Sequence, residues 1–89
     1  MSDVVFDNLR KQLELQEWPD VFMFKFIVPN DSEKVAKVTS LFDDGADLRY
    51  QQSKTGKYVS VSAKELMVDV DSIIVKYQSA AAIDGVIAL

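Results

Sequence analysis

Between Val21 and Pro29 the chain reads VFMFKFIVP, and this strict alternation limits the possible folds more than any other stretch does. In an extended backbone Phe22, Phe24, Phe26 and Val28 fall on one side, while Met23, Lys25 and Ile27 fall on the other. Three aromatics at alternate positions mark the core-facing side of a strand. Lys25 therefore belongs to the opposite face.

The segments around this strand supply the rest of a domain. In residues 2–17, Val5, Phe6, Leu9 and Leu13 recur at helical spacing, with Ser2 or Asp3 as an N-cap, which predicts a short amphipathic helix or an arm ended by Pro19. Trp18, before the proline, is expected to be extended. After the strand, NDSEKVAKVTSLF sets Asn30 and Glu33 at capping-box spacing ahead of a stripe of Val35, Val38, Leu41 and Phe42, so a helix is expected to end near Gly45. ADLRYQQ alternates again, with Ala46, Leu48 and Tyr50 against Asp47, Arg49 and Gln51. Val59, Val61 and Ala63 then alternate with Tyr58, Ser60, Ser62 and Lys64. Asp69 or Asp71 caps a last helix carrying Val70, Ile73, Ile74, Tyr77 and Ala81 at helical spacing, and Gly85 turns the chain into a short strand at 86–89.

The order strand, helix, strand, strand, helix, strand predicts an α+β, ferredoxin-like βαββαβ sandwich. This is a four-stranded antiparallel sheet with two helices on one face. The expected organisation is an N-terminal helix or arm over 1–17 and a single domain over 18–89. A chain of 89 residues suffices for one modest core.

The Gly56-Lys57 pair invites comparison with a phosphate-binding loop, which needs a glycine five residues earlier, Ser or Thr after the lysine, and a helix beyond. Gln51 and Tyr58 occupy those two positions and a strand pattern follows. Ser53 to Gly56 is instead a hairpin turn with Gly56 in the left-handed conformation.

The composition removes most catalytic machinery. The chain contains no cysteine and no histidine, hence no thiol nucleophile, imidazole base, disulfide or zinc-type ligand cluster. No cofactor motif is present. Asp43, Asp44 and Asp47 crowd Gly45 but lack the alternating acids and distal Glu of a calcium loop, so they read as solvated loop. An acylphosphatase-like hydrolase needs an arginine in the loop after the first strand, and VPNDSEK has none. A formal net charge of −4 and a single outward aromatic, Tyr58, argue against nucleic acid as a partner. Asp3 and Asp7 stand where a signal peptide would be basic, and no apolar run reaches spanning length, so the expected location is the cytoplasm, with no membrane role.

Parity leaves one feature to interpret. If the Phe side of the first strand meets the helices, Lys25, Tyr58, Ser60, Ser62 and Lys64 lie on the open sheet face, with Met23, Ile27, Arg49 and Gln51. Lys25 should lie near Ser60 or Ser62, because the first and third strands are neighbours in this topology. Such a face is either plainly solvated, or covered by the N-terminal arm or a second subunit, or a ligand pocket for an anion or carboxylate.

The stretches WPDVFMFKFIV and SKTGKYVSVSA resemble the YbeD-like family of small bacterial proteins, sometimes named for lipoate regulation. Trp18, Pro19, Phe22, Lys25, Phe26 and Ile27 carry the first likeness, and Ser53, Gly56, Lys57, Tyr58 and Ser60 the second. It runs from residue 18 to the closing GVIAL, with Val28-Pro29 where a glycine is usual. The resemblance implies an ACT-like domain of the kind that pairs and senses amino acids. The functional expectation is a non-enzymatic regulatory module that binds a small molecule or a protein, with homodimerisation through a sheet edge or the open face. The alternatives are a small hydrolase or transferase using Lys25, Tyr58 and Lys64 on an anionic substrate, and third a nucleic-acid binder.

Overall fold

A computed structural model describes residues 6–89. The elements are α1 (Asp7–Leu13), β1 (Asp20–Pro29), α2 (Ser32–Thr39), β2 (Asp47–Gln52), β3 (Tyr58–Met67), α3 (Val70–Ala81) and β4 (Ile87–Ala88). The four strands form one antiparallel sheet in the order β2-β3-β1-β4, so the fold is the ferredoxin-like α+β arrangement, with α1 added ahead of it.

The aromatic alternation of β1 builds the core. Phe24, Phe26 and Val28 are fully buried, and β3 answers with Val61 and Ala63, also fully buried. Phe24 stacks edge-on against Phe22 at 4.8 Å and meets Phe42 at 5.3 Å and Tyr77 at 5.5 Å between ring centroids. The stripe of α3 runs through Ile73, Ile74 and Tyr77 but continues at Ala80, not at the expected Ala81, which is exposed. Tyr77 to Ala80 is a three-residue step, which keeps to the same helix face as well as a four-residue one does.

Burial raises the Tyr77 phenol above its ordinary value of 10.0, because the phenolate would lose its hydration. The folded state thus favours the protonated phenol. Its contribution is full below the unfolded pKa and is lost as pH rises through the folded one. Urea unfolding followed from about pH 9 to about pH 11.5 should show stability falling, and Tyr77→Phe should flatten that alkaline limb. An unchanged limb would assign the loss to other groups.

The N-cap residues expected at 2–3 lie outside the described residues. The described part of the N-terminal segment packs on the helical side of the sheet. Leu13 is 2 % exposed and joins the core, Phe6 meets Tyr77 at 6.1 Å, and Arg10 pairs with Asp71 of α3. The segment 6–17 therefore leaves the open sheet face uncovered. Trp18 donates its indole N–H to the Leu13 carbonyl at 2.8 Å, and the Trp18–Pro19 peptide bond is cis.

Two caps differ in interesting ways. α2 is capped by Asp31, whose carboxylate accepts the Glu33 N–H at 2.9 Å, and Asn30 is not the cap. Asn30 belongs to the far side of the turn instead, donating from its amide to the Gly56 carbonyl at 2.7 Å and so tying the end of β1 to the hairpin. Asp69 caps α3 in a reciprocal capping box with Ser72. α2 also ends at Thr39, well before Gly45, and Leu41 and Phe42 continue in tighter turns, donating their N–H groups to the Val38 and Thr39 carbonyls.

The short α2 is explained by a buried ion pair that alternation alone does not reveal. Glu65 sits at a core-facing position of β3, with its side chain 8 % exposed, opposite Lys76 of α3 at 17 %. The ammonium stands 3.2 Å from Oε1 and donates to the Leu41 carbonyl, while Oε2 accepts the Asp43 N–H at 2.9 Å. Lys76 also lies over the Phe42 ring, 5.1 Å from its centroid. Pulling Leu41 and Asp43 inward by their main chain is incompatible with carrying the helix on to Gly45.

Candidate functional site

The register settles what shares the open face. Lys25 pairs with Ser62, and Ser62 with Arg49, in one row across β1, β3 and β2. The next row is Met23, Lys64 and Asp47, and the one on the other side is Ile27, Ser60 and Gln51. Directly opposed residues of antiparallel strands bring their Cβ atoms to about 5 Å, so Lys25 and Arg49 flank the Ser62 hydroxyl from both sides.

Of the five residues expected from the sequence, the structure gathers three. Lys25, Ser60 and Ser62 line one open depression of about 550 Å³ together with Arg49, Tyr50 and Gln51. Lys64 belongs to the adjoining one, shared with Met23, Asp47, Arg49 and Ser62. Tyr58 lies at the hairpin end of β3 opposite Pro29, two positions beyond Ser60, and lines a third depression with Ile27, Ser53 and Lys54. At roughly 3.3 Å per residue, Tyr58 is about 13 Å along the strand from Ser62, too far to act on one small ligand with Lys25.

Arg49 lines the same depression and is absent from the five-residue expectation. Parity places it on the face, but only the β2–β3 register brings it into the Lys25–Ser62 row. Its guanidinium lies 3.6 Å from Asp47, both side chains being more than half exposed, a contact worth little in water and readily exchanged for another carboxylate. The Tyr50 hydroxyl lies 2.9 Å from the Thr39 hydroxyl of α2.

The hairpin between β2 and β3 is where Gly56-Lys57 lies. Ser53 accepts the Gly56 N–H at 3.0 Å and donates its own to the Tyr58 carbonyl at 2.9 Å, and Gly56 has φ of +76°. No helix follows, so the loop has no phosphate-binding geometry.

Chemically the site offers two cationic side chains rooted on strands about 10 Å apart, with a serine between them, on an open surface. That arrangement can hold carboxylate or phosphate oxygens. Among the described residues no group of three or more acidic side chains converges on a metal-sized point, and no helix is long and apolar enough to cross a membrane. Comparison with known protein families, curated proteins and solved structures yields no match, so the site itself must carry the functional argument. Fold and site together define a ferredoxin-like domain with a cationic open sheet face.

Proposed function

We propose that the protein is a non-enzymatic, ACT-like regulatory module of the cytoplasm that binds carboxylate-bearing ligands or partners on its open sheet face. Charge segregation supports the reading. Among the described strand residues of this face, Lys25, Arg49 and Lys64 meet a single side-chain carboxylate, Asp47, although the whole chain carries a formal net charge of −4. A merely solvated face of an acidic protein has no reason to concentrate cations. The openness of the depressions favours binding over catalysis, because neither water exclusion nor a positioned base is provided.

A thermal-shift screen of amino acids, dicarboxylates, lipoate and nucleotides tests the reading. A ligand at a hundred times its Kd stabilises the folded state by about 2.7 kcal/mol. The expected outcome is stabilisation by a carboxylate-bearing compound that Lys25→Ala with Arg49→Ala removes and the exposed α1 variant Lys11→Ala keeps. Stabilisation that survives the double substitution would place the ligand elsewhere.

A further inference from the structure

β1 pairs with β3 along all ten of its residues, but on its other side β4 covers only Phe26 and Ile27, with one more bond from the Leu89 N–H to the Lys25 carbonyl. In an antiparallel ladder each residue directs its N–H and C=O to the same side, and successive residues alternate. Because Lys25 faces β4, Met23 and Val21 face that side too, where β4 does not run alongside them. Asp20 takes the Val21 N–H through Oδ1 at 2.7 Å. The Val21 carbonyl and both main-chain groups of Met23 are left without a strand partner among the described residues.

The side chains at this end of the sheet match an added strand. Val21 and Leu66 are directly opposed and Met23 lies beside them, each more than half exposed on the open face. Lys64 is opposed to Met23, and Lys25 follows it on the same face of β1. Scattered aliphatic side chains on a surface are ordinary, but three together beside unpaired main chain and two lysines form a surface with both backbone and side-chain specificity.

We propose that this edge accepts an extended acidic peptide of a partner protein, which adds to β1 beside Val21 and Met23 as a further strand and directs its carboxylates to Lys25 and Lys64. The inference rests on the carboxylate-recognising reading of the open face and adds the backbone form of the partner. Main-chain bonds to Met23 set the strand in place. Side chains at alternate positions then meet either the aliphatic cluster or a lysine, so the recognised segment carries a carboxylate two residues from an aliphatic side chain. A second copy of this chain fits less well, because joining β1 to β1 would bring two sets of Lys25 and Lys64 together on one continuous face.

The probe is an amidated octapeptide ETVTETVT added to 15N-labelled protein, with glutarate and the lysine analogue KTVTKTVT in parallel titrations. At saturation the Met23 amide should exchange at least about tenfold more slowly, as expected of an amide newly bonded in a ladder. The lysine analogue should leave it unchanged, and Lys25→Ala with Lys64→Ala should weaken binding about tenfold. Met23→Pro, which removes an N–H that the β3 ladder does not use, should abolish binding; the exchange rate of the unsubstituted protein decides the matter if that variant does not fold. Shifts at Lys25, Ser62 and Arg49 without slower exchange at Met23 overturn the edge pairing and leave the carboxylate reading standing. Binding of glutarate without the peptide does the same, and binding of neither overturns both. Slow exchange at Met23 that grows with protein concentration in the absence of peptide identifies a second copy as the occupant and overturns the proposal.

Discussion

Replacing Glu65 by alanine should destabilise the domain by about 3–5 kcal/mol, the usual cost of removing one member of a buried ion pair. The physical reason is what remains. The Lys76 ammonium, 17 % exposed, would keep the Leu41 carbonyl but lose its carboxylate partner, and the Asp43 N–H would lose its acceptor. A domain of this size has a total stability on the order of 5–15 kcal/mol, so the variant should unfold at much lower urea concentration. Glu65→Leu combined with Lys76→Met should recover at least half of the loss, because two matched apolar groups leave no buried charge uncompensated. Urea unfolding of Glu65→Leu, Lys76→Met and the double variant forms the cycle that measures this. A cost below about 1 kcal/mol for Glu65→Ala would mean that water reaches the pair and that it does not hold the 41–43 segment.

Phe24→Ala should cost a similar amount, about 3–5 kcal/mol, for a different reason. Phe24 is fully buried and meets Phe22, Phe42 and Tyr77, so truncation leaves a cavity between the sheet, α3 and the turn after α2 that the β1–β3 pairing cannot close. Met23→Ala, one residue away, should cost less than about 1 kcal/mol, since Met23 is 53 % exposed on the open face. The contrast between neighbours is the sharper measurement. Equal costs for the two would mean that the faces of β1 are assigned wrongly, and with them every residue of the candidate site.

Lys25 and Arg49 show how far the sequence reaches into that site. A two-residue period puts each on the face away from the helices without knowledge of any partner, because the pleat of a strand is local geometry. Their convergence on Ser62 is not local. It depends on the offset between strands that lie apart in sequence, and a shift of one residue in either pairing would have broken the row. Tyr58 demonstrates the same limit from the other side, since it shares the face with Lys25 but lies too far along β3 to share its ligand.

The sequence by itself determined the element order, the buried face of β1, the hairpin at Gly56 and a last helix begun by Asp69 or Asp71, of which the structure selects Asp69, because alternation, helical spacing and turn chemistry are each written in a few adjacent residues. Only the tertiary structure decided where α2 stops, which side of the sheet α1 packs on, and that Glu65 is a core residue. Each of these depends on contacts between segments far apart in the chain: Lys76 reaching Leu41, Phe6 meeting Tyr77, Asp43 donating to Glu65. A charged residue at an inward position reads as an error in the pattern until its partner arrives from another element, and burial of a charge is tolerated only with that partner in place.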